Sequence, residues 1–477
     1  MNIFPKHSNT YLFRALLLAT LFCTLSATAQ TFNLLHSFAD PAAGAYPHGT
    51  LLLSNGVLYG TTGSGGTGAN GTIFRMNSDG SGFTNLHYFS VSGGSGTNAE
   101  GAGPLAGLIL SGSTLYGTAA SGGTFGGGTV FRMNTDGTGF TNLHNFIFSD
   151  GKNPNGGLAL IGNTLYGTTS FGGADFANAG TLFAVNTDGT GYTNLHVFTT
   201  LSSDGGNPYA GMIASGNVLY GTTIGGGAAG YGVIFSINAD GTGYTTLHSF
   251  PGANNEPQTE GIYSYAPLVL AGNTLYGTAY QGGDSGEGLV FSIATSGANY
   301  TKLYSFTSLS SATNDDGALP NTGVVLNGDT LYGTTIRGGS SGYGTVFAVK
   351  TNGTAFTNMH SLAIGDGIYP YAGLASGDNA LYGMTSMGDS SNPYGSIFRL
   401  ALSTVVVPKL IIASTGTNVV LSWPTNATGF TLQFSTNLTA PIVWTTNAST
   451  PIILNGYYVV TNASGPQKFY RLSTALP

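Results

Sequence analysis

Residues 162–173 read GNTLYGTTSFGG. The same phrase returns down the chain, with Leu-Tyr-Gly beginning at Leu58, Leu115, Leu165, Leu219, Leu275, Leu331 and Leu381. The spacings are 57, 50, 54, 56, 56 and 50 residues. Self-similarity at such a period is the signature of a repeat architecture, in which each copy is one supersecondary unit.

Four short apolar runs recur around each copy. Run A precedes the turn, as in Gly107-Leu108-Ile109-Leu110. Run B is Thr-Leu-Tyr-Gly-Thr-Thr itself. Run C follows a glycine cluster, as in Gly128-Thr129-Val130-Phe131. Run D is Phe140-Thr141-Asn142-Leu143-His144-Asn145-Phe146 and its relatives. Each is rich in β-branched and aromatic residues and reads as a strand of about 5–7 residues. Gly162-Asn163 separates A from B, and Asn134-Thr135-Asp136-Gly137 separates C from D. Both supply the positive φ that tight hairpins need, so consecutive runs are antiparallel neighbours.

Four-stranded units repeated seven times predict an all-β chain folded as a seven-bladed β-propeller. The ends of the repeat region support closure. Thr31 to Phe38 is a run D with no A, B or C before it, and the seventh copy stops at run C, Gly395 to Leu400. The N-terminal strand therefore completes the last blade. The repeat, with its G-x-T-L-Y-G-T-T-x-x-G-G core, G-T-V-F and D-G-T-x-Y-T-x-L-H-x-F tail, resembles the GloVer tandem repeat. That repeat characterises a family of secreted bacterial "choice-of-anchor" proteins. The resemblance covers about residues 31 to 400 and implies an exported or surface-displayed repeat protein, without implying an activity.

The flanks differ. Lys6 and Arg14 precede an apolar run from Ala15 to Leu25, and Ala27-Thr28-Ala29 follows, so residues 1–29 read as a secretory signal peptide. The sole cysteine, Cys23, lies in it, and the mature chain has no thiol chemistry. No other stretch is apolar and long enough to span a bilayer. We place the propeller at 30–402. At 403–477 glycine-rich phrases stop and both tryptophans, Trp423 and Trp444, appear. This tail reads as a small fibronectin-III-like β-sandwich.

Only 6% of residues are charged. Without Lys6 and Arg14 the chain keeps 10 basic against 19 acidic residues. That balance disfavours nucleic acid and anionic membrane as partners, because phosphate binding relies on clustered Lys and Arg. Gly66-Thr67-Gly68-Ala69-Asn70-Gly71 matches a dinucleotide pattern but precedes a strand rather than a helix. Six histidines, His36, His87, His144, His196, His248 and His360, share one place in run D, with Tyr304 at the seventh. Equivalent positions on separate blades cannot converge on a metal, and we read them as a repeated hydrogen bond between blades.

The B–C and D–A loops share one face, vary between copies and carry 13 of the 19 acids. Recurrent Asp/Glu-Gly pairs (Glu100, Asp150, Asp204, Glu260, Asp316, Asp366) read as turns or caps. Residues that break the repeat are better candidates for a ligand site. They are His48, Lys152, Glu256, Asp315 and Arg337, with Tyr209, Tyr265 and Tyr371 beside run A. Flat rings stack on sugars, carboxylates accept hydroxyl bonds, and several carboxylates together hold Ca²⁺. We expect a secreted, monomeric, non-enzymatic module that binds a polysaccharide or cell-surface partner, with Ca²⁺ as the one conceivable cofactor. The alternative is a propeller polysaccharide lyase or glycoside hydrolase using two carboxylates of that face.

Overall fold

The computed structural model describes residues 30–94, 96–173, 178–199, 204–251, 259–389, 391, 393–402, 410–415, 417–425, 430–437, 442–463 and 468–474. The leader expected at 1–29 lies outside them. Among the described residues there is no α-helix; one 3₁₀ turn spans Pro41–Ala43. No helix among the described residues is long and apolar enough to cross a membrane. The chain forms two compact units, Gln30–Leu402 and a C-terminal one from Ser403.

The first unit contains seven four-stranded antiparallel sheets, each ordered A-B-C-D. The first uses Leu52–Ser54, Val57–Thr62, Thr72–Asn77 and Thr84–Tyr88. The seventh uses Ala375–Gly377, Ala380–Thr385 and Ser396–Ala401, and its fourth strand is Phe32–Ser37 from the start of the chain. Run A is shorter than expected, three residues in every sheet. Its leading residues are wedged against the next copy instead. A Cβ on Gly49 would lie 2.4 Å from the Ala106 carbonyl oxygen, and one on Gly107 2.7 Å from that of Thr50.

Leu-Tyr-Gly is the joint between sheets. Leu165 packs back onto Tyr116 and Phe146 of the second sheet, whereas Tyr166 packs forward with Leu219 and Phe235 of the fourth. Leu58 and Tyr382 meet in one cluster, so the seventh sheet abuts the first. The glycine faces Phe183 across the ladder, and a Cβ on Gly167 would stand 2.4 Å from that ring. The same Gly–Phe pair occurs in all seven sheets, at Gly60, Gly117, Gly221, Gly277, Gly333 and Gly383. Here glycine serves close approach, letting the phenylalanine lie flat over the neighbouring strand.

Run D carries a β-bulge against run C in every sheet. The bulged residue, Leu86 in the first sheet, rests on the Asp-Gly turn of the next, where a Cβ on Gly137 (φ +90) would meet its carbonyl oxygen at 3.0 Å. A bulge re-aims the side chains beside it. Each following histidine lies flat on an aromatic ring of the next sheet. His87 stacks on Phe140 at 4.0 Å, His144 on Tyr192 at 3.6 Å and His36 on Phe83 at 3.8 Å. His360 stacks on Phe32 at 4.0 Å, and Tyr304 takes the same pose on Phe356 at 3.7 Å. The contact between sheets is therefore ring stacking, not the hydrogen bond expected from the sequence.

The C-terminal unit has a four-stranded sheet of Ile411–Thr415, Asn418–Pro424, Tyr457–Ala463 and Ile452–Leu454. A three-stranded sheet combines Thr445–Thr446, Phe430–Ser435 and Phe469–Thr474. Leu421, Trp423 and Val460 of one share a small core with Leu432 of the other.

Candidate functional site

The repeated acids are held by the scaffold. Asp150 accepts from His144 Nε2 at 3.0 Å and from the Ile147 N–H at 2.9 Å. Asp204, Asp316 and Asp366 accept likewise from His196, Tyr304 and His360, and from the backbone N–H groups of Thr199, Thr307 and Ala363. Glu100 takes the Ser90 N–H at 2.9 Å with His87 3.5 Å away, and Glu260 lies 3.5 Å from His248. The hydrogen bond that His144, His196 and His360 make thus runs to the loop leaving their own strand. Among the described residues, no group of three acidic, histidine or cysteine side chains is placed to hold a metal ion.

What the scaffold leaves over is a set of rings. Where each D–A loop enters run A, one residue has a left-handed backbone. These are Tyr46, Gly103, Asn153, Asn207, Tyr263, Leu319 and Tyr369, with φ between +53° and +64°. For an L-residue that conformation costs about 1–2 kcal/mol, and such strain persists only where neighbours over-determine it. They do so here. The Tyr369 N–H donates to the Tyr343 carbonyl and its own carbonyl accepts from Ser386; Tyr263 is tied in the same way to Tyr231 and Tyr280. The residue two places on is then presented from a fixed frame. Those seven residues are His48, Leu105, Asn155, Tyr209, Tyr265, Asn321 and Tyr371. The segments just behind them abut one another, as Gly373 does Thr50, where a Cβ would lie 2.5 Å from the hydroxyl oxygen.

The seven are not alike, and the aromatic ones belong to two runs of rings, which together we call the tyrosine arc. Phe171 meets Tyr209 at 6.3 Å between centroids, Tyr209 meets Tyr265 at 5.8 Å, and Tyr265 meets Tyr280 at 5.3 Å. On the other side Tyr369 meets Tyr371 at 6.4 Å, and His48 stacks on Tyr371 at 5.2 Å. The Arg337 guanidinium sits 5.6 Å over the Tyr369 ring. The Tyr280 phenol is pushed above its ordinary value by burial and then by Tyr371, while Arg337 opposes the rise. Burial likewise raises Tyr265 and lowers His48.

Of the residues named from sequence, the structure gathers Tyr209, Tyr265, Tyr371, His48 and Arg337. Lys152 bridges Phe171 through its backbone, but its ammonium lies over Phe148 at 5.6 Å. Asp315 is exposed beside Tyr304, Thr307 and Thr313, and its carbonyl accepts from Asn358. Glu256 lies outside the described residues. Tyr263, Tyr280 and Tyr369 were missed. The signal for Tyr280 lies in the copies themselves, where its place is held by Gly63, Ala120, Ser170, Ile224, Ile336 and Ser386.

Comparison with known proteins gives a family and a fold. The Gloeobacter/Verrucomicrobia repeat model matches residues 19–203, 95–263, 143–313 and 255–430, and the chain belongs to that family. No curated protein matches it. Among solved structures it is similar to an oligogalacturonate lyase in complex with manganese (10% identity, 79% of this chain and 97% of that one, TM-score 0.50). Another oligogalacturonate lyase, from Vibrio parahaemolyticus, shares 8% identity over 79% of this chain and 98% of that one, with a TM-score of 0.48. A chain of a nidogen/laminin complex shares 14% identity over 57% of this chain and 85% of that one, TM-score 0.36. At these identities the likeness concerns the fold alone, which is all-β and propeller-like.

Proposed function

We propose that this member of the Gloeobacter/Verrucomicrobia repeat family is a secreted, monomeric, non-enzymatic module that binds polysaccharide at the tyrosine arc of a seven-bladed propeller. The propeller is residues 30–402, residues 1–29 are the leader removed on export, and 403–477 are a fibronectin-III-like module. One observation carries the reading. On a face where the acids recur and are spent on histidines and backbone, the rings that break the repeat come together. Half-buried tyrosines offer a sugar both a flat apolar surface and a hydroxyl for hydrogen bonding. A lyase or glycosidase needs a carboxyl pair across the scissile bond, and the recurrent carboxylates of this face already have partners.

A glycan array probed with the mature chain tests this, followed by titration of any hit with Tyr371→Ala and Tyr265→Ala. Loss of a stacked ring is expected to weaken binding by about 0.5–1.5 kcal/mol, beyond the contact area removed. Silence across the array, or wild-type affinity in both variants, refutes it.

A further inference from the structure

We infer that the polysaccharide recognised at the tyrosine arc is anionic, and that Arg337 reads its carboxylate. This rests on the binding reading above.

The argument begins with the place of Arg337 in the repeat. The equivalent residues of the other sheets are Ser64, Ser121, Phe171, Gly225, Gln281 and Met387, so a cation stands there only once. Its backbone is fixed. The N–H donates to the Ala318 carbonyl at 3.1 Å, and its own carbonyl accepts from the Ala318 N–H at 2.8 Å and from the Thr335 hydroxyl at 3.0 Å. The side chain, by contrast, is exposed, and no carboxylate among the described residues pairs with it. The other described cations of the repeat region include two that are paired, Lys302 with Asp284 and Lys350 with Asp329 at 2.6 Å.

An unpaired guanidinium lying over a tyrosine has its edge free. It presents a planar fork of N–H donors that fits a carboxylate in two parallel bonds. The ring beneath it holds the plane in place. The surroundings suit a sugar that carries the acid. Tyr369 beneath the guanidinium meets Tyr371 at 6.4 Å, and Tyr371 stacks with His48 at 5.2 Å. A ligand here meets one cation for its carboxylate and rings for its faces. A neutral sugar would leave the fork unused, and a cationic ligand would face Arg337 directly. Rings at steps of 6.4 and 5.2 Å from Tyr369 through Tyr371 to His48 extend past one monosaccharide, so the ligand is a chain.

The test uses the mature chain with two forms of one polymer, polygalacturonate and its methyl ester, in which the carboxylates are masked and the sugar rings kept. Affinity electrophoresis or calorimetry should show the acid form bound about ten- to a hundredfold more tightly, the ratio that a charged hydrogen bond gives. Arg337→Gln should bring the acid form down to the ester's level and leave the ester unchanged. Arg337→Lys should recover only part of the preference, because an ammonium lacks the fork. Tyr371→Ala should weaken both forms together. Equal binding of acid and ester, or an acid preference that survives Arg337→Gln, overturns the inference while leaving sugar binding intact. Binding of neither form, with a silent glycan array, overturns both.

Discussion

His36 should make the closure of the ring acid-sensitive. It lies in Phe32–Ser37, the strand that completes the seventh sheet, and stacks on Phe83 of the first at 3.8 Å. Five other histidines of this series face an acid; the Asp40 carboxylate instead accepts from the Ala42 N–H and caps the 3₁₀ turn. The buried His36 Nε2 has no hydrogen-bond partner among the described residues, and burial pulls the imidazole from 6.5 down to about 4. The folded state therefore holds His36 neutral, while the unfolded chain takes up a proton below pH 6.5. The stability it contributes is complete above that value and is lost as the pH falls toward 4. Between pH 7 and 5 those two values give a loss of about 2 kcal/mol, and the partial exposure of the ring discounts it to about 1 kcal/mol. His36→Phe keeps a flat ring on Phe83 and removes the titration. Urea unfolding of both proteins at pH 7 and pH 5 isolates the term, because other groups cancel in the difference. The wild type should lose about 1 kcal/mol more than the variant. Parallel losses would show that His36 does not titrate between these states.

Two further substitutions separate scaffold from site. Gly167→Ala places a methyl 2.4 Å from Phe183 and should cost about 1–3 kcal/mol in urea unfolding through overpacking. Gly162→Ala, at φ +58 with open space around it, should cost only the left-handed backbone term of about 1–2 kcal/mol, and only Gly167→Ala should be relieved by Phe183→Leu. Asp150→Ala strips an acceptor from His144 and from the Ile147 N–H. It should destabilise by about 1–3 kcal/mol with polysaccharide affinity unchanged; lost binding at full stability would return the repeated acids to the site.

The sheets were legible because their causes are local. Glycines at the hairpins, β-branched runs between them, the lone run D at the start and the missing one at the end are all read from residue types along the chain, and Phe32–Ser37 pairs Ser396–Ala401 as the offset implies. The pose of the histidines was not legible. It depends on a bulge one residue wide at Leu86 and its equivalents, and a pattern of residue types cannot show a shift in register. The sequence offers a histidine that hydrogen-bonds and a phenylalanine that packs. Only the bulge decides that the two lie face to face across a boundary between sheets.

The site was half legible, for a related reason. A repeat protein meets the same packing demand at every copy, so a residue that recurs is accounted for by that demand. Departures from the repeat are where other demands can act. That logic separates His48 and Arg337 from the recurrent acids, while Tyr209, Tyr265 and Tyr371 stand out as rings beside run A on the same face. It also selected Lys152 and Asp315, which depart from the repeat yet turn toward Phe148 and into the Tyr304 loop. Breaking the repeat is thus necessary for a place in the arc but not sufficient. What adds sufficiency is position on the frame: Tyr263 and Tyr369 sit at the left-handed residue of each entry loop, and Tyr265 and Tyr371 two residues on. Strain repeated seven times with different side chains mounted on it is a fixed scaffold carrying a variable surface. The arc spans the copies in which that surface is aromatic.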